Sequence, residues 1–110
     1  MSFNSGDIVT VDFPGVKGIK RRPAVVLSST IYNTSRPDVV LGLITTKTAI
    51  LGATDYLLKD WKLAGLRTES MFRSFIVTLP VSTKIVVIGH LSTRDLQGVR
   101  DSLKVTFDYQ

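Results

Sequence analysis

Arg22-Pro23-Ala24-Val25-Val26-Leu27-Ser28 decides the fold. From Pro23 to Leu27 there is no polar position, and the run is rich in β-branched residues, with Val25 and Val26 at its centre. Such a run suits a strand buried on both faces and not one with a wet face. Val39-Val40-Leu41-Gly42-Leu43-Ile44 reads the same way, so the two are interior strands of a barrel or a tightly curved sheet. The polar residues 29–38 between them read as a loop. Upstream, Val9, Val11 and Phe13 alternate with Thr10 and Asp12, the period of a strand with one buried face, and Pro14-Gly15 ends it in a turn. The basic run that follows reads as a loop. Downstream, residues 54–58 form a short strand, and Lys59 to Ala64 form one helical turn capped by Asp60 and stopped at Gly65. Phe75–Leu79 and Ile85–Ile88 are strands separated by Pro80 and polar residues. Ser92 with Asp95 resembles a capping box with Asp in place of Glu, and Leu96, Val99 and Leu103 then fall on one helical face. Gly98 inside this helix costs about 1 kcal/mol relative to Ala, so the helix relies on tertiary packing. Strands closed by a terminal helix give an α+β class, a small half-open barrel, with residues 1–110 as one domain.

Composition narrows the chemistry. The chain has 110 residues, 44% of them hydrophobic, no cysteine and one histidine. Disulfides, thiolate metal sites and cysteine nucleophiles are excluded, and a histidine metal cage is not expected. No segment could span a bilayer, and the first residues carry no secretory pattern, so a cytoplasmic location is expected. The formal charge is +5. Residues 13–36 hold Lys17, Lys20, Arg21, Arg22 and Arg36 without a single acid, the footprint expected for a polyanionic partner or, more plainly, a soluble basic surface.

Cutting RNA without a metal needs three things: a group to take the 2′-hydroxyl proton, a donor to the leaving 5′-oxygen, and fixed positive charge for the phosphorane. Arg22 stands where the basic run enters an apolar strand, and Pro23 biases it toward extended geometry, so its guanidinium is aimed by the backbone. The plainer alternative is a strand-edge arginine. Thr45-Thr46-Lys47-Thr48, at the end of a buried strand, can bind phosphate or orient a hydroxyl, although Thr-rich strand ends are common. Around Arg73, basic and aromatic residues interleave in a way that can clamp single-stranded bases, while Phe72 and Phe75 also suit a core. Glu69 is the carboxylate placed near Arg73, as a base or as a solvated ion-pair partner. His90 reads as structural or solvent-facing, and Trp61 as a packing or interface anchor.

With these residues in hand, the chain resembles the MazF/PemK family of toxin endoribonucleases. Gly6-Asp7-Ile8-Val9-Thr10-Val11-Asp12-Phe13 is similar to that family's opening strand, Arg22-Pro23-Ala24-Val25-Val26-Leu27-Ser28 to its most recognisable motif, and Ile44-Thr45-Thr46 to its third-strand end. Ala64-Gly65-Leu66 to Ser70, and Ile88-Gly89-His90-Leu91-Ser92 through Val99, resemble its middle and closing segments. The resemblance implies an SH3-like barrel with a short helix and a C-terminal helix. It implies a homodimer that needs no cofactor and cuts single-stranded RNA at short preferred sequences, leaving 2′,3′-cyclic phosphate and 5′-hydroxyl ends, under the control of a cognate antitoxin. It assigns the essential arginine to Arg22 and the essential hydroxyl to Thr45. Lys20 and Arg21 fall in the loop flanking the RNA groove, with Thr46, Lys47 and Arg73 as further substrate contacts. Several relatives carry an acid shortly after the arginine equivalent to Arg73. Here Ser74 and Phe75 follow it, which leaves the general base open between a water and Glu69. Two rivals share the fold class: a gyrase-inhibiting toxin of the CcdB type, and a non-catalytic RNA-binding SH3-like module.

Overall fold

The computed structural model describes residues 3–15 and 18–109. Six strands and two helices occur in the order β1 (Asp7–Gly15), β2 (Gly18–Val26), α1 (Thr30–Ser35), β3 (Asp38–Thr45), β4 (Tyr56–Leu57), β5 (Met71–Pro80), β6 (Val86–His90) and α2 (Thr93–Phe107). The strands form one antiparallel sheet in the order β4-β5-β3-β2-β1-β6. The sheet curls into a half-barrel: the Phe13 ring on β1 meets the Phe75 ring on β5 edge to face at 5.4 Å, although β2 and β3 lie between them in the sheet. Register shifts at Ile8/Val9 against β6 and at Gly42/Leu43 against β5 supply bends for that curl.

The expected α+β half-barrel with a C-terminal helix is therefore what forms, and its central strands are buried on both sides. Val9, Val11, Phe13, Ala24, Val26, Val39, Leu41 and Leu43 fill the inside of the curl. Ile8, Val25, Ile44 and Phe72 face the other way, where Val99 of α2 joins them and Leu96, Leu103 and Trp61 pack against the cluster. Among the described residues, no helix is long and apolar enough to cross a membrane.

Four local expectations are corrected. The basic run is strand and not loop: β1 continues through Pro14 to Gly15, which pairs with Gly18, and β2 runs from there to Val26. Lys17 lies outside the described residues. Residues 29–38 contain α1, whose Ser29 cap accepts from the Tyr32 amide at 3.2 Å. Asn33 on α1 is buried and ties the helix to the Phe3 and Ser28 carbonyls at 2.8 and 3.1 Å. Residues 61–65 form turns, with Gly65 at φ +86°, but Asp60 does not cap them. Its carboxylate instead accepts from Ser92 Oγ at 2.6 Å and from Arg94 at 2.7 and 2.8 Å.

Ser92 does cap α2, accepting from the Asp95 amide at 3.3 Å. Asp95, however, is no reciprocal cap. Fully buried, it accepts from Tyr56 Oη at 2.7 Å and from the Lys59 and Asp60 amides at 3.0 and 2.8 Å, and so pins α2 to the segment after β4. Burial, reinforced by the Asp95 hydrogen bond, pushes the Tyr56 phenol well above its ordinary range and keeps it a donor.

Candidate active site

The ladder between β2 and β3 pairs Val26 with Leu41, Val25 with Gly42 and Ala24 with Leu43, and it stops there. The Leu27 amide donates to the Val40 carbonyl at 2.9 Å, so odd-numbered residues of this strand turn their amides toward β3. Pro23 is the next odd residue with a place in that series after Val25, and it has no N–H to give. Extending the same register outward sets Pro23 against Ile44 and Arg22 against Thr45. Directly opposed residues share a face, and the preceding pair, Ala24 and Leu43, belongs to the core inside the curl. Arg22 and Thr45 thus flank, on one face, the point where the two strands cease to pair.

β5 adds to the same face. Met71 pairs with Thr45 and Arg73 with Leu43, and the register shift of this strand follows immediately. Arg22 is half-buried, and among the described residues it has no hydrogen-bond or ion-pair partner. Thr45 is only 6% exposed. Its Oγ1 accepts from the Lys47 amide at 3.2 Å, which leaves the hydroxyl hydrogen to be donated elsewhere. Thr46 and Lys47 are exposed just beyond it, and exposed Lys20 shares the parity of Arg22 on β2.

Other sequence candidates part company with this group. Arg21 lies on the opposite face of β2, within 3.7 Å of Asp12, and donates to the Lys84 carbonyl at 2.9 Å and Thr10 Oγ1 at 3.3 Å. Arg36 pairs with Asp38 at 3.1 Å at the far end of β3, which raises its own pKa and lowers that of Asp38. The positive stretch is therefore divided, with Lys20 and Arg22 left on the side of Thr45. Glu69 is not the partner of Arg73. It accepts from Thr48 Oγ1 at 3.2 Å, and the carboxylate beside Arg73 is that of Asp55, 3.7 Å from Nε. Sequence reading missed Asp55, because Gly52-Ala53-Thr54-Asp55 shows only turn chemistry. Phe72 is core and Phe75 is partly exposed. His90 is exposed and hydrogen-bonded to Asp7 at 2.8 Å across the β1–β6 edge, and Trp61 packs against the outer core.

A cavity of about 490 Å³ lies elsewhere, between α2 and the sheet, with Leu27, Val40, Ile76 and Leu103 in its lining. Leu27 and Val40 belong to the other face and the other end of the β2–β3 pair, so this hollow is separate from Arg22 and Thr45. Among the described residues, no three His, Asp or Glu side chains group as a metal-ligand set.

A curled antiparallel sheet closed by a terminal helix, with an arginine and a threonine just beyond the point where its two core strands cease to pair, defines a small half-barrel with basic and hydroxyl side chains at one edge. The profile of the family described as "PemK-like, MazF-like toxin of type II toxin-antitoxin system" matches residues 4–107, and the chain belongs to that family. In fold it is similar to MazF in a MazE–MazF crystal structure from Deinococcus radiodurans, with 22% identity, a TM-score of 0.78, and 100% of this chain and 99% of that one covered. It is also similar to an endoribonuclease solved with its cognate antitoxin from a mycobacterial species, with 17% identity, a TM-score of 0.81, and 99% and 98% covered. The Mycobacterium tuberculosis toxin MazF-mt6 is a further match, with 23% identity, a TM-score of 0.77, and 94% and 98% covered. No curated protein matches the sequence.

Proposed function

We propose that this toxin-family chain is a sequence-specific endoribonuclease acting on single-stranded RNA without a metal, with Arg22 and Thr45 as its catalytic pair. The observation that supports this reading is the β2–β3 register, which ends at Ala24–Leu43 and, extended by two residues, would set Arg22 against Thr45. In the reaction the ribose O2′ forms a bond to the adjacent phosphorus and the bond from phosphorus to O5′ breaks. The 2′-hydroxyl gives up its proton, O5′ acquires one, and the products are a 2′,3′-cyclic phosphate and a 5′-hydroxyl. Arg22 offers two parallel hydrogen bonds to the non-bridging oxygens, which carry most charge in the phosphorane. Thr45, its oxygen already accepting from the Lys47 amide, donates its hydrogen to the same group. Lys20, Thr46, Lys47 and Arg73 contact flanking phosphates, while Arg21, held by Asp12, Thr10 and Lys84 on the opposite face, takes no part. Glu69 is the carboxylate candidate for the base, since it lies two residues before Met71, which pairs with Thr45; a water is the alternative. The chain works as one domain, dimerises, resides in the cytoplasm and is held in check by a cognate antitoxin whose acidic segment covers the cationic edge.

The test is single-turnover cleavage of a 5′-labelled RNA in excess EDTA. The wild-type chain should cut and leave cyclic-phosphate ends. Arg22→Ala and Thr45→Ala should each lose about 10²–10³-fold in rate while still binding RNA. Arg21→Ala should cut nearly as well as wild type, since that side chain faces away. No cleavage by the wild-type chain, with gyrase supercoiling inhibited instead, would replace the nuclease reading with that of a non-catalytic inhibitor. Unimpaired cleavage by either variant would remove that residue from the site.

A further inference from the structure

We propose that Asp55 is a positioning residue that aims Arg73 at the RNA backbone beside the scissile phosphate; this rests on the nuclease reading above. Tyr56 pairs with Phe72 and Leu57 with Met71, so the β4–β5 register, continued by one residue, sets Asp55 directly against Arg73. Two neighbouring rows then cross the sheet at its open edge. One runs Leu57, Met71, Thr45 and, with the β2–β3 register extended, Arg22; the other runs Arg73 and Leu43, with Asp55 beside Arg73. The second row carries its charge pair next to the catalytic pair of the first.

The geometry says how the carboxylate acts. Its Oδ1 lies 3.7 Å from Arg73 Nε, and its Oδ2 accepts from the Gly52 amide at 2.8 Å. Oδ2 is hydrogen-bonded, Oδ1 lies in ion-pair range of a guanidinium, and the side chain is only 10% exposed, so Asp55 is poorly placed to abstract a proton. Contact through Nε leaves the two terminal nitrogens of Arg73, which make no hydrogen bond within the described residues, available for a phosphate. The Arg73 side chain is 41% exposed, and without a partner it would spread over many rotamers. The turn through Gly52 holds Asp55, Asp55 holds the Nε edge, and the irregularity of β5 after Arg73 sets the direction from the other side.

The experiment is a double-mutant cycle of Asp55→Asn with Arg73→Ala, read by cleavage kinetics and by affinity for a non-cleavable 2′-deoxy-substituted oligonucleotide. Removing a negative charge should by itself tighten RNA binding. If Asp55 aims Arg73, Asp55→Asn instead weakens affinity and raises KM about tenfold, with a smaller effect on kcat. In the Arg73→Ala background the same change costs nothing further, and Asp55→Glu recovers part of the loss. Wild-type behaviour of Asp55→Asn, tighter binding, or an equal loss in both backgrounds would overturn the proposal. Should Asp55→Asn fail to fold, the cycle with Asp55→Glu reads the same coupling. If the wild-type chain does not cut at all, the nuclease reading fails, while the affinity arm still decides whether Asp55 acts through Arg73.

Discussion

Replacing Gly98 with alanine pits two effects of opposite sign against each other. In an exposed helix interior the change would stabilise by about 1 kcal/mol. Here a Cβ on Gly98 would lie 2.1, 2.2 and 2.6 Å from Cε1, Cζ and Cδ1 of the Tyr56 ring, far inside ordinary contact. The ring cannot retreat freely, because its hydroxyl donates to buried Asp95 at 2.7 Å. Overpacking costs about 1–3 kcal/mol, and loosening a buried hydrogen bond about 1–3 kcal/mol more. After the propensity gain is subtracted, Gly98→Ala should destabilise by about 1–5 kcal/mol. At roughly 4–8 °C per kcal/mol for a domain of this size, the loss is easily seen in a thermal or urea melt followed by circular dichroism. The sign should reverse in a Tyr56→Ala background, where the space is open and alanine at 98 gains about 1 kcal/mol. A Gly98→Ala chain as stable as wild type, or a change of the same sign in both backgrounds, would refute the packing argument.

Arg94, then Ser92, holds the Asp60 carboxyl down from its ordinary 3.8 to about 2. A carboxyl with a lowered folded-state pKa stabilises fully above its unfolded value and loses that contribution as pH falls toward 2, so the urea-midpoint gap between wild type and Arg94→Ala should narrow between pH 4 and pH 2; a constant gap would exclude the linkage. Pro23→Ala restores an N–H facing the Ile44 carbonyl and should extend the β2–β3 ladder by one bond, slowing amide exchange at residue 23 and reducing RNA cleavage about tenfold without loss of stability. A rapidly exchanging amide together with unchanged cleavage would show that proline does not keep these strands apart.

The parts of the fold legible in the sequence were those where burial dictates composition. Pro23 to Leu27 and Val39 to Ile44 are apolar throughout because both of their faces are covered, and Leu96, Val99 and Leu103 keep helical spacing because one face of α2 packs on the sheet. The strand through Gly18 to Arg22 was hidden because it carries Lys20, Arg21 and Arg22 in succession on both faces, so no apolar alternation marks it. Pairing with β1 and the reach of Arg21 to Asp12, Thr10 and Lys84 are long-range compensations that no local window displays. α1 was missed for a similar reason: Thr30-Ile31-Tyr32-Asn33-Thr34-Ser35 is a poor helix by propensity, and its buried asparagine anchors it. Arg22 and Thr45 were marked chiefly by resemblance to a known family. The residue chemistry alone left each with an ordinary strand-end reading, and the β2–β3 register must be extended by two residues to relate them. Asp55 needed three dimensions, since seventeen residues of chain separate it from Arg73.

One local choice accounts for the position of the cationic edge. A strand buried on both faces must satisfy its amides and carbonyls along its whole length, so opening a gap inside it would orphan polar groups. Proline at 23 lowers the cost of ending the pairing with β3, because one donor that would be orphaned does not exist. The core pairs behind it, Ala24 with Leu43 and Val25 with Gly42, keep the two strands rigid up to the point of separation. A guanidinium placed one residue before that proline, and a hydroxyl at the end of β3, therefore stand next to the rigid part of the core. Moving either residue by one position would turn its side chain to the other face of the sheet, toward the side on which α2 packs. The Arg-Pro order, and not the basic composition around it, is what this architecture requires.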